Sequence, residues 1–121
     1  MSYIDGYLIA VKTADREAYK AMAEAAAPIF LEYGALEVME TWGDDMMRGH
    51  TTDFFKAVKA EGDENVVFSW IVWPDKATRD AGNQSAMADP RFEAMQDPAK
   101  PVFDGKRMIY SGFTPLVHLK S

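Results

Sequence analysis

Residues 66–73, Val-Val-Phe-Ser-Trp-Ile-Val-Trp, decide the architecture. The β-branched and aromatic types mark a strand, and its alternate positions give it two faces. Val67, Ser69, Ile71 and Trp73 lie on one, and Val66, Phe68, Trp70 and Val72 on the other. Both faces are apolar, so both call for cover. A chain of 121 residues can lay its own helices over one face of a small sheet. The second face then requires another layer, a ligand or another subunit.

Upstream, residues 3–12 form a further apolar strand that ends at Thr13-Ala14-Asp15, a cluster suited to starting a helix. From Arg16 to Tyr33 the positions Tyr19, Met22, Ala23, Ala26, Ile29, Phe30 and Tyr33 make one helical stripe, and Gly34 suits a C-terminal cap. Pro28 interrupts that stripe and predicts a bend or a helix in two pieces. Residues 35–42 alternate as a second strand, and the long connection 43–65 holds a short helix over 53–60. Downstream, Pro74-Asp75 opens a polar helix over 76–88, and Asp89-Pro90 opens another through Met95. A link from Asp97 to Pro101 and the turn Asp104-Gly105 lead into a last strand over 107–113, extended by residues 116–119.

The resulting order is β-α-β-β-α-β, within one domain over 1–121. It is the α+β ferredoxin-like plait, a four-stranded antiparallel sheet with both helices on one face. The bare face of that sheet predicts a homodimer, a second copy presenting the same surface.

Thirteen Lys and Arg against nineteen Asp and Glu leave a net charge of −6. Such a field repels phosphates and anionic membrane surfaces, so neither nucleic acid nor membrane is an expected partner. Lys56 and Lys59 are followed by Glu61, Asp63 and Glu64, which breaks the one basic run. The chain has no cysteine, which excludes disulfides, thiolate nucleophiles and cysteine-ligated metals. No apolar run approaches membrane-spanning length, and the N-terminus has no secretory pattern, so the sequence reads as a soluble cytoplasmic protein.

Several segments together carry a resemblance. Tyr3-x-Asp5-Gly6, Phe30-x-x-x-Gly34-Ala35-Leu36, Thr52-Asp53-Phe54, Ala57-Val58-Lys59, Val66 to Ile71, Asp89-Pro90-Arg91 and Phe103 to Ile109 resemble the YbaA-like family of small bacterial proteins of unknown function. The resemblance implies a dimeric α/β barrel, two ferredoxin-like sheets packed face to face. That superfamily includes cofactorless monooxygenases, haem-degrading enzymes and chlorite dismutases, an analogy of fold that transfers no catalytic residue.

Chemistry is thinly signalled. His50 and His118 are the only histidines, and no His-x-x-x-His or Glu-x-x-His pair exists, so no protein metal site and no cofactor are expected. The candidate catalytic groups are His50, in the long connection, and Asp5, on the same side of its strand as Tyr3 and Tyr7. The plainer readings are a solvated loop histidine and an ion pair from Asp5 to Lys106 or Arg107. Glu40 and Arg107 suit a cross-strand pair. Candidate ligand contacts are Tyr7, Trp42, Trp70, Asn83 and Arg107, aromatic walls with a few polar groups. The same aromatics serve equally as core or dimer interface. There is no phosphate-binding glycine loop and no nucleophile elbow. Two readings remain: a dimeric protein of unassigned role binding a small apolar ligand, or a small cofactor-independent, oxygenase-like enzyme acting on an aromatic or apolar substrate.

Overall fold

The computed structural model describes residues 2–97, 99 and 101–121. Strands β1 (Tyr3–Lys12), β2 (Glu37–Trp42), β3 (Glu64–Trp73) and β4 (Ile109–Phe113) form one sheet in the order β2-β3-β1-β4. All three pairings are antiparallel, with Tyr3 opposite Trp73, Ile4 opposite Phe113 and Glu37 opposite Val72. The two most apolar strands are therefore central, and β2 and β4 are the edges. Within one chain the sheet is open and does not close into a barrel.

Helix α1 (Arg16–Glu32) and helix α3 (Lys76–Ala88) cover the face carrying the odd positions of β1 and β3. Beneath them Ile9, Val11, Val67, Ile71 and Trp73 are buried together with Tyr19, Ile29, Phe30 and Ala86 of the helices. Fully burying a side chain of this size contributes about 1.5–3 kcal/mol, so this layer dominates the packing energy. Asp75 caps α3 by accepting the Thr78 amide at 2.7 Å. Gly34 ends α1 at φ 110°, with the Ala35 amide reaching back to the Phe30 carbonyl at 3.0 Å.

The even face is half covered. The short helix α2 (Phe54–Ala57) and Val58 close over Ala10 and Val66, whereas Phe68 remains 46% exposed and Phe113 56% exposed. No helix of the described residues is long and apolar enough to cross a membrane.

Some elements differ from their sequence reading. Helix α1 runs unbroken through Pro28, because Pro28 and Glu24 both face solvent, where water can serve the carbonyl that lost its donor. The helix expected over 53–60 contracts to the single turn α2. Residues 105–107 form a 3₁₀ turn, so β4 begins two residues later than expected. The tail beyond Phe113 adds no strand, and Pro115 there lacks the N–H a ladder needs. Helix α4 (Pro90–Ala94) follows Asp89, whose carboxylate accepts the Arg91 amide at 2.8 Å. Pro98 and Lys100 of the following link lie outside the described residues.

Candidate functional site

Asp5 sits at an inward position of β1 and is only 3% exposed. A carboxylate buried there must be compensated, and four donors converge on it. Arg79 of α3 donates from Nε at 2.9 Å and lies within 2.8 Å through Nη2, both at Oδ1. The Trp73 indole donates to Oδ2 at 3.0 Å, and the Asn83 amide donates to the same oxygen at 3.1 Å. Arg79 and Asn83 are one helical turn apart and share a face of α3. That face can approach closely because residue 82 is glycine. A β-carbon there would lie 2.4 Å from the Trp73 ring and 2.8 Å from the Tyr33 carbonyl. Bonding to Asp5 raises the Arg79 pKa further, which keeps the guanidinium charged. With its acceptor positions occupied by Arg79, Trp73 and Asn83, Asp5 acts as an anchor for α3.

Beyond this anchor the helices and sheet leave a cavity of about 550 Å³. Its walls are mostly apolar, with Ile9, Ala26, Phe30, Ile71 and Met108 among them. Its charged groups are Asp5, Arg79 and Glu40. Asp5 and Arg79 neutralise one another. Glu40, on edge strand β2, instead accepts the Tyr19 hydroxyl at 2.7 Å. Although Glu40 is exposed as a residue, loss of hydration around its carboxylate raises its pKa, against the opposing pull of bonds from Tyr19 and Ser69. The Tyr19 hydroxyl is pushed up by burial first and by Glu40 second. Burial and then Asp5 do the same to Tyr7, which stacks on Tyr110 with ring centres 6.2 Å apart.

A shallower groove of about 430 Å³ lies outside the Tyr19–Glu40 bond and shares both residues with the cavity. Trp42 lines this groove, 5.7 Å below the Arg16 guanidinium. The cavity offers an apolar chamber with one carboxylate of raised pKa, three tyrosines, a serine and the amides of Asn83 and Gln96. That set can hold an aromatic ligand and orient it. Among the described residues no group of three or more His, Asp or Glu could hold a metal ion.

Of the residues singled out by sequence, Asp5, Tyr7 and Asn83 line the one cavity. Trp42 is in the outer groove. Trp70 points to the other side of the sheet, where its indole donates to Glu37 at 3.1 Å. Arg107 is far from Asp5 and Glu40, paired with Glu64 at 2.7 Å and Asp104 at 3.1 Å. Neither cross-strand pair expected of it forms, because the 3₁₀ turn places it beside the opposite end of β3. His50 is exposed in the 43–63 connection, outside the cavity, and its carbonyl accepts from Lys56 at 2.8 Å. Sequence reading overlooked Arg79, Tyr19 and Ser69. The spacing of Arg79 and Asn83 beside Gly82 and Ala86 was the available signal, a polar pair set among small residues on an inward helix face.

Residues 2–105 match the family described as a protein of unknown function, DUF1428. The chain belongs to that family. The YbaA protein of Escherichia coli K12, itself described as uncharacterized, is 50% identical over 117 residues, covering 97% of this chain and 98% of that one. Solved structures share the fold at low identity. SnoaB of Streptomyces nogalater, described as a cofactor-independent oxygenase, superposes with a TM-score of 0.58 at 16% identity, covering 99% of this chain and 98% of that chain. A dimeric ferredoxin-like protein from an uncultured marine organism gives 0.57 at 13% identity, with 99% and 98% covered. At such identities the likeness speaks for the fold alone.

Proposed function

We propose that this protein is a homodimer whose subunits each bind a small aromatic or apolar molecule in the cavity between α1, α3 and the sheet. The observation that carries the reading is the cavity itself. Its volume falls within the roughly 300–1,000 Å³ range of small-molecule sites, and its apolar walls hold a few fixed polar groups. The aromatic residues of the other sheet face serve assembly instead. Phe68, Met39, Ile109 and Phe113 are all exposed there, an apolar patch that suits a second copy, and a fold neighbour described as dimeric supports assembly as such.

Titration with naphthalene, followed by amide chemical shifts, tests the ligand reading. Saturable shifts centred on Tyr7, Ala26 and Ile71 are expected, and Ala26→Trp should abolish them while the fold persists. Shifts confined to Phe68 and Trp70, or unchanged binding in Ala26→Trp, would overturn it. Light scattering tests the assembly: twice the 13.6 kDa chain mass is expected, falling to one chain in Phe68→Glu.

A second reading is cofactor-independent oxygenation of an aromatic substrate. Glu40 favours it, since a carboxylate of raised pKa beside an apolar chamber suits proton abstraction from a bound phenol or enol. SnoaB, a fold neighbour, is described as a cofactor-independent oxygenase. Oxygen uptake with a phenolic substrate, lost in Glu40→Gln, would support this reading, and binding without uptake would leave the protein a binder.

A further inference from the structure

The residues after β4 form neither helix nor strand, and they hold their apolar side chains in water. Leu116 is 96% and Leu119 88% exposed, the highest values of any large apolar residue described. Single exposed leucines are ordinary, but these two flank a groove that is apolar itself. Pro115 and Val117 border a space of about 640 Å³ whose other walls include Ile4, Phe68, Trp70 and Val72. All four belong to the sheet face that α1 and α3 leave bare. The tail runs beside that face, yet it neither fills the groove nor hides its own leucines.

The exposed area shows how much cover is missing. A folded monomer of 13.6 kDa exposes about 6,600 Å². This chain exposes 8220 Å², and the surplus of roughly 1,600 Å² is about twice what one partner gives to a standard interface. Charge points to the occupant. In a chain of net charge −6, the stretch from Thr114 to Lys120 carries Lys120 and no Asp or Glu, whereas the groove carries the Glu37 carboxylate. Every copy therefore supplies one cationic apolar arm and one apolar groove with an acidic residue. A two-fold axis satisfies both pairs at once. We infer that residues 114–120 are an exchanged arm, with Leu116 and Leu119 of each protomer packed against the groove of its partner. The inference rests on the homodimer reading above and adds the segment that locks the two copies together.

Sedimentation velocity over a dilution series compares the wild-type protein with a variant carrying Leu116→Asp and Leu119→Asp. Both leucines are almost free of their own chain, so the variant subunit should keep the wild-type circular dichroism spectrum. Its self-association is expected to be weaker by at least about 100-fold, since four leucines per dimer lose their cover. A second measurement needs no variant. In dimers mixed from isotope-labelled and unlabelled chains, filtered nuclear Overhauser spectra should connect the Leu116 and Leu119 methyls of one protomer to the Phe68 and Trp70 rings of its partner. A wild-type dimer that the double substitution leaves intact, or tail methyls that meet those rings only within their own chain, overturns the arm and leaves the homodimer standing. A wild-type protein that is monomeric throughout the series overturns both.

Discussion

Replacing Arg79 with leucine tests whether the Asp5 cluster anchors the fold. In the native protein the Asp5 side chain is 4% exposed and that of Arg79 is 21% exposed, with 2.8 Å between the charges. Removing one member of a buried pair leaves the other charge uncompensated, which costs about 3–5 kcal/mol. Two features place Arg79→Leu near the lower end. The Trp73 and Asn83 donors remain on Asp5, and a partly exposed guanidinium recovers some hydration that softens its loss. The expected destabilisation is therefore about 3 kcal/mol. Urea unfolding followed by tryptophan fluorescence measures it, at one fixed protein concentration because assembly shifts the midpoint. Asp5→Leu should cost a similar amount. The double variant should cost less than the sum of the two by about 1–3 kcal/mol, since neither charge is then left alone. A loss below about 1 kcal/mol for Arg79→Leu, or strict additivity in the double variant, would refute the anchor.

Three further outcomes follow from the geometry. Gly82→Ala should destabilise the protein by about 1–3 kcal/mol in the same unfolding assay, because crowding against Trp73 outweighs alanine's better helix propensity. Arg107 holds the Glu64 carboxyl down to about 2 from an ordinary 4.5, so its contribution is complete above pH 4.5 and is lost as pH falls toward 2. Acid titration of stability should show that loss, and Arg107→Met should flatten it. Glu40 is shifted the opposite way by desolvation, so its ionised form weakens the fold as pH rises. Glu40→Gln should accordingly raise the melting temperature more at pH 8 than at pH 4, and an equal gain at both would contradict the assignment.

The strands were legible because β-branched and aromatic residues cluster in β1 and β3, but β3 is apolar on both faces, so its sequence did not say which face the helices cover. The stripe from Tyr19 to Tyr33 marked the buried side of α1. The partner of Asp5 was not legible. Arg79 is 74 positions away, and its proximity depends on how α3 rotates over β3, which Gly82 decides through contact with Trp73. Lys106 and Arg107 looked suitable because β4 pairs with β1, with Asp5 opposite Gly112. The register slides Arg107 toward the Lys12 end of the sheet, where Glu64 is the available carboxylate. The cavity's lining was only partly legible, for a related reason. Tyr7, Ser69 and Glu40 are neighbours across three strands, and single-strand periodicity says nothing of the space that helices leave above them.

The two edges of the open sheet are unlike in their chemistry. Strand β2 carries Glu37 and Glu40, charges that discourage a stray strand from adding there. Strand β4 reads Ile-Tyr-Ser-Gly-Phe, with no charge and no proline. Such a segment lacks gatekeepers, and a chain deprived of its partner would be prone to aggregate along β4 before β2. Preparations in which the outer sheet face is disrupted should therefore precipitate more readily than their stability alone suggests, and a lysine at Ser111 should restore their solubility.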